Sequence, residues 1–406
     1  MINKQISQFP INYVNPFVIG KIAFGWGAHE TVADACKEAG IKKALIVTTG
    51  LKGTGIVDEI KGILNYNGIP TEIYDKVTSN PKDYEVSEAY KVFMDTQCDG
   101  VVSVGGGSSH DCGKGVRVIA ANKGVYICDM AALLDPPWMQ EMQKYKPITI
   151  PQITVNTTAG TGAESTGGAA ITNTKIKVKQ LIIGQGLSPF LAIIDPLLAR
   201  LQPQNLAAQT AFDAFTHAFE VYIARVKTPH SAFLALGAIK LISENLREFS
   251  YNRMNHNACE NICWASSLAA LGLCMGGGVG IVHGLGHGLS ALHGAHHGLA
   301  NAVLAVPMER YNQDVCPDKF ADMARAMGVD TRGMTKMQAS DKWFDEVERL
   351  LKDLNIQTGN LNKQFGLKKE DCAHIVKFQY SNDFAAEGNP REYKYEECLS
   401  LFESLL

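Results

Sequence analysis

The sequence predicts an α/β half built on a parallel sheet, followed by an all-helical half, and two observations carry this. As far as Leu201, short β-branched runs alternate with stretches of helical spacing. Several of those runs are apolar on both faces, as strands of a doubly covered sheet must be. From Asn205 onward strand signals thin out and long helical segments take over. A boundary therefore falls at Leu201 to Gln204, giving domains of residues 1–203 and 204–406.

The elements follow in order. After an irregular start, Phe24-Gly25-Trp26-Gly27 leads into a helix over His29 to Ala39. Lys43 to Thr49 reads as a buried strand and Gly50 to Gly55 as a turn. Val57 to Asn67 is helical, Thr71 to Tyr74 a strand, Asp83 to Gln97 a helix, and Gly100 to Val104 a β-branched strand ending at Gly105. The run Val104-Gly105-Gly106-Gly107-Ser108-Ser109-His110-Asp111 lies where that strand becomes a helix. Glycines let backbone N–H groups approach a pyrophosphate, and the helix adds its positive end. The spacing is not the usual dinucleotide fingerprint, so alone the run reads first as a tight turn. Thr154 to Glu164 is a second polar loop whose hydroxyls suit a phosphate or ribose, though alone it reads first as a Ser/Thr-rich capping loop. Ala169 to Thr172 and Leu191 to Ile194 are short strands, the latter stopped by Asp195-Pro196 because proline cannot donate to a ladder. The helical half opens with Leu206 to Arg225, Ser231 to Phe249 and His256 to Met275.

Composition excludes several classes of function. The chain has 406 residues, 46% of them hydrophobic and 19% charged, enough for a large core in two domains. A formal charge of −3 with scattered lysines offers nucleic acid no basic field. No apolar run is long enough to span a membrane, and the first twenty residues lack signal-peptide order. The ten cysteines show no paired spacing, which suits free thiols in a reducing compartment, so a cytoplasmic protein is expected.

Five of the eleven histidines fall between Ile281 and His297. His283 and His287 are one helical turn apart, as are Asp213 and His217, so two helices can present a carboxylate and several imidazoles to one divalent ion. Such nitrogen-rich sets suit zinc, iron or nickel rather than calcium or magnesium. On spacing alone, a metal site and a chance pairing weigh about evenly. The two polar loops belong to the first half and the histidines to the second, which puts the natural ligand site in the cleft between them.

Taken together these stretches resemble the iron-containing (group III) alcohol dehydrogenases, the family that includes lactaldehyde reductase and propanediol oxidoreductase. The likeness runs from Phe24-Gly25-Trp26-Gly27 through Ala44 to Thr48, Gly105 to Ser108 with Asp111 and Lys114, and Thr157 to Glu164. It continues through Asp213 to Glu220, His283 to Ala302, and Gly388-Asn389-Pro390-Arg391. The resemblance implies a Rossmann-like first domain, a helical metal-binding second domain of dehydroquinate synthase-like architecture, and NAD-linked alcohol or aldehyde chemistry. On matching positions, Asp213, His217, His283 and His297 would ligate a divalent metal, usually iron(II), with zinc or nickel as alternatives. His287 would stand beside the ion, near nicotinamide and substrate, and is the candidate proton relay. Gly105, Gly106, Gly107, Ser108, Asp111, Thr157, Thr158 and Thr161 would carry the pyrophosphate and ribose, with Asn80 and Lys179 as further cofactor contacts. His293 and His296 have no such counterpart and are read as local polar residues. A homodimer or larger homo-oligomer is implied as well.

Three departures bear on specificity. Thr49 stands where the family often has an aspartate that repels a 2′-phosphate, so NAD is the expected cofactor with NADP left open. Gly168 replaces a polar residue and Ala385 a cysteine found in some relatives, which implies a roomier substrate pocket and a small alcohol or aldehyde larger or more polar-headed than ethanol. Two other readings stay open: a metal-dependent lyase or synthase of the same fold group using NAD transiently, and a non-catalytic metal or nucleotide-binding protein.

Overall fold

The computed structural model describes residues 20–49, 51–131 and 146–406. Gly50, the first residue of the expected turn, lies outside them. Strands β1 (Lys21–Phe24), β2 (Ala44–Thr48), β3 (Thr71–Tyr74), β4 (Gly100–Gly105) and β5 (Gln152–Asn156) join β8 (Leu191–Ile194) in one sheet of order β1-β8-β5-β4-β2-β3. Every neighbouring pair is parallel. Helices α1 (Val32–Glu38), α2 (Ile56–Tyr66), α3 (Asp83–Asp95) and α4 (Gly107–Ala121) fill crossovers, and β2 and β4 are buried throughout. From β2 the chain runs outward to β3 and then returns to the other side as β4. The topological switch point, where open α/β sheets bind ligands, thus lies between the carboxyl ends of β2 and β4.

Three strands depart from the sequence reading. β1, read as irregular, is a four-residue, half-exposed edge strand with too little pattern to stand out. Thr154 to Asn156, read as the start of a polar loop, is the end of the buried strand β5. Its polar side chains are satisfied from neighbouring segments: Gln152 Nε2 donates to Ser103 Oγ (2.8 Å) and the His110 carbonyl (3.1 Å), and Thr154 Oγ1 donates to the Glu164 carbonyl (3.0 Å). The loop itself begins at Thr157. The expected strand at Ala169 to Thr172 is β6 (Gly168–Asn173), but it pairs antiparallel with an unforeseen β7 (Val178–Ile183) in a separate hairpin.

Beyond a single turn, α5 (Pro196–Ala199), the chain is helical: α6 (Gln204–Ile223), α7 (Pro229–Tyr251), α8 (His256–Cys274), α9 (Ile281–His293), α10 (His297–Gln313) and further helices to α16 (Tyr395–Glu403). α6 is apolar on nearly every side, and a helix of that kind goes to the centre of a core. Phe212, Phe215 and Phe219 interlock edge to face along it, and Phe219 meets Trp343 at 5.3 Å. Asp213 and His217 are consequently buried as well. Among the described residues no helix is long and apolar enough to cross a membrane.

Candidate functional site

Three side chains from three helices converge in the helical half. Asp213 of α6, His283 of α9 and His297 at the start of α10 each bring one donor atom within 4.8 Å of the other two. His283 Nε2 is 3.8 Å and His297 Nε2 3.5 Å from Asp213 Oδ1. His217, one turn after Asp213, lies beside them with its ring centroid 4.3 Å from that of His283 and the two planes tilted by 42°. His283 Nε2 and His297 Nδ1 are buried without a hydrogen-bond partner. Of these, His283 Nε2 lies beside the Asp213 carboxylate; an orphaned imidazole nitrogen there is costly unless something binds, and this donor set fits a divalent transition metal. Burial pulls His217 to about 3 and holds His287 and His297 below the ordinary value, so these rings are neutral, as ligation requires. His283 differs. Burial pulls it down too, but the Glu220 carboxylate beside it, with Asp213 and Asp383 further off, pushes it up overall.

Around this centre lie partners to which the sequence reading assigned no role. Glu220 is seven residues after Asp213 on α6, on the same face. Its carboxylate accepts from His283 Nδ1 and from the backbone N–H of Val282 (2.8 Å) and His283 (3.4 Å). Asn301 donates to Asp213 Oδ1 at 2.7 Å and contacts His297 Nε2 at 3.3 Å. His287 Nδ1 is 2.7 Å from Asp383 Oδ2, and its ring stacks on His297 at 5.1 Å with planes 15° apart. The spacing from Asp213 and His217 to Glu220 was a usable signal; for Asp383, nearly a hundred residues after His287, there was none. α9 owes its close seating to glycines. A Cβ at Gly284 would fall 2.2 Å from Tyr380 Cδ2, and one at Gly288 would fall 2.4 Å from Ile375 Cγ2.

The other wall of the cleft is built at the switch point. Gly106, Gly107 and Ser108 are partly exposed at the start of α4, whose first N–H groups have no partner within the helix. The Thr157 N–H donates to the Gly105 carbonyl at 2.9 Å. A Cβ on Gly106 would lie 2.7 Å from Thr158 Oγ1, and one on Gly107 would lie 2.5 Å from Thr161 Oγ1, so the two loops pack directly together. Ser109 Oγ accepts from Thr49 N–H and Ser108 Oγ from Asn80 N–H, both at 3.2 Å. Lys179 Nζ donates to Asn80 Oδ1 at 3.2 Å, and Asn80 Nδ2 reaches the Ala295 carbonyl across the cleft at 3.1 Å. A helix N-terminus and hydroxyls at the switch point, with Lys179 reaching them from β7 through Asn80, fit a dinucleotide phosphate.

Not every expected residue joins this wall. The Asp111 carboxylate is engaged by Ala170 N–H (3.0 Å) and by Lys114 Nζ (3.3 Å), so it anchors the β6–β7 hairpin to α4. The Gly168 carbonyl takes the buried Lys114 Nζ at 2.5 Å. Ala385 is fully buried, and its Cβ lies 3.1 Å from where a Cβ on Gly284 would stand.

Comparison with known proteins gives one coherent result. The family model described as iron-containing alcohol dehydrogenase matches residues 20–196. Its companion, Fe-containing alcohol dehydrogenase family, C-terminal, matches residues 207–406. The chain is 38% identical to methanol:N,N-dimethyl-4-nitrosoaniline oxidoreductase of Amycolatopsis methanolica, covering 87% of this chain and 81% of the relative. It is 32% identical to the NAD-dependent methanol dehydrogenase of Bacillus methanolicus, covering 97% of this chain and all (100%) of that one. A crystal structure of 1,3-propanediol oxidoreductase superposes with a TM-score of 0.88 at 36% identity, covering 97% of this chain and 100% of that one.

Proposed function

The chain belongs to the iron-containing alcohol dehydrogenase family, and on that premise we propose that it interconverts a small primary alcohol, with polar-headed alcohols among the candidates, and its aldehyde. It is an NAD-linked alcohol/aldehyde oxidoreductase of a family whose metal is iron. The comparisons give a lyase no support. The observation that carries the proposal is the meeting of Asp213, His283 and His297 beside the orphaned His283 Nε2, with Asn80 joining this cluster to the α4 terminus through Ala295 and Ser108.

Asp213, His217, His283 and His297 are the proposed metal ligands. When bound, the cation supplies a Lewis acid that acidifies an alcohol or polarises a carbonyl, and the nicotinamide supplies the hydride site. The rest is work for this chain's residues. Glu220 holds the Nδ1 side of His283, so its Nε2 faces Asp213. Asp383 holds the Nδ1 side of His287, so its Nε2 is the free position, suited to pass the alcohol's proton toward solvent. Thr49, Asn80, Gly105 to Ser108, Thr157, Thr158, Thr161 and Lys179 are the proposed dinucleotide positions, with Asp111 bracing them. Gly168 and Ala385 remain the proposed substrate-side positions.

The same proposal divides the chain at 203/204, supported by family models that end at 196 and resume at 207. It also includes a homodimer or larger assembly, and a cytoplasmic site suited to ten buried cysteines kept as thiols. Iron-loaded protein of measured metal content should be given methanol, short diols and acid-bearing aldehydes while NADH absorbance is followed. Turnover with one of these classes is expected. Absence of NAD-linked turnover across the whole panel would sink the proposal.

A further inference from the structure

Lys179 and Gln379 are two hundred residues apart, yet they meet at the join between the sheet half and the helical half. Thr172 and Lys179 face each other across the β6–β7 hairpin. Thr172 N–H leaves the ladder for the Pro81 carbonyl at 2.8 Å, which marks the pair as one whose backbone groups point outward. The outward edge of Lys179 is met by a side chain. Gln379 Oε1 accepts from Lys179 N–H at 2.8 Å, and Gln379 Nε2 donates to the Lys179 carbonyl at 3.0 Å. The carboxamide thus stands in for a missing strand. The second hydrogen of the same Nε2 goes to Asp383 Oδ2 at 3.1 Å, the oxygen that meets His287 Nδ1.

Gln379 is buried and closes a single π-helical turn, Ile375–Gln379, an irregularity often found at functional positions. A second thread runs alongside, from Lys179 Nζ through Asn80 to the carbonyl of Ala295, two residues before His297. Both threads leave the hairpin and end beside the stacked His287 and His297 rings. Any displacement of β7 relative to α9 must break the Gln379 bonds or carry Asp383 with it.

We propose that Gln379 is a positioning residue that couples the seating of the β6–β7 hairpin to the orientation of His287, acting through Asp383. This deepens the oxidoreductase reading and rests on it. Occupation of the dinucleotide wall, which includes Lys179, is thereby communicated to the His287 imidazole through the three bonds of Gln379 and the Asp383–His287 bond.

The test uses Gln379→Leu, which keeps the volume and removes all three bonds, in metal-loaded protein. Hydrogen exchange resolved to the Lys179 amide should accelerate about tenfold, and kcat should fall about tenfold, with metal content and the KM for alcohol little changed. In an Asp383→Asn background the same substitution should cause almost no further loss of kcat, because the route is already cut. Wild-type exchange at Lys179 in the variant, or losses that multiply in the double variant, overturn the proposal. If Gln379→Leu does not fold, the unsubstituted protein still decides: a Lys179 amide exchanging as fast as an open edge amide overturns it too. Exchange is read without turnover, so its failure is distinguishable from failure of the oxidoreductase reading.

Discussion

The Glu220 carboxylate grips the first turn of α9 at three points: the Val282 N–H, the His283 N–H and His283 Nδ1. One buried side chain thereby locks the helix bearing Asp213 and His217 to the helix bearing His283 and His287, and sets which nitrogen of His283 faces Asp213. A helix N-terminus is also where a carboxylate is electrostatically favoured.

Replacing Glu220 with alanine should therefore loosen the metal rather than remove a ligand. We expect metal affinity about 10–100-fold lower, with Glu220→Gln milder because it keeps an acceptor. Chelator competition followed by metal analysis checks this, and wild-type affinity in Glu220→Ala would refute it.

Asp213→Ala and His283→Ala take donors from the cluster itself. Each should abolish metal retention and, with it, NAD-linked turnover, because three donors leave the shell incomplete. Metal content and activity are measured on the same preparation. Full occupancy and turnover in either variant would remove that residue from the ligand set.

Thr49 directly follows β2 at the switch point and offers a 2′-phosphate no repulsion. Thr49→Asp should cut kcat/KM with NADP about tenfold while altering the NAD value far less. Equal losses with both cofactors would place the ribose elsewhere.

His110 lies beneath the Gly-rich turn, Nδ1 2.9 Å from Ser103 Oγ and Nε2 3.4 Å from Asn156 Oδ1. Burial, and then the charge of Lys114, pull its pKa from 6.5 to about 3. The unfolded chain binds this proton near the ordinary value and the native chain does not. Its contribution is therefore complete above that value and is lost as pH falls toward 3, by about 1.4 kcal/mol per pH unit. Urea unfolding of metal-stripped protein at pH 7 and pH 5 should show wild type losing about 2 kcal/mol more than His110→Gln. Parallel losses would show that His110 is not the group responsible.

How much was legible depended on the range of each signal. Asp213 with His217 and His283 with His287 stood out because one helical turn is a local period, and the Gly105 to Gly107 run because three glycines at a strand end are a local pattern. β5 was misread from Thr154 because the bonds that make Gln152 and Thr154 acceptable inside a sheet come from Ser103, His110 and Glu164. Gln379 and Asp383 gave no local sign of their partners, which lie on β7 and α9.

By itself the sequence determined the alternation that makes a covered parallel sheet, the shift to helices after Leu201, and which side chains carry nitrogen and oxygen donors at helical spacing. Those are properties of neighbours along a chain, and backbone periodicity alone expresses them. Tertiary structure decided which donors meet, which nitrogen of His283 and His287 is left free, and how the hairpin is tied to the imidazoles. Each of these requires groups up to two hundred residues apart to be buried together, where an unpaired polar atom is costly enough to select one arrangement.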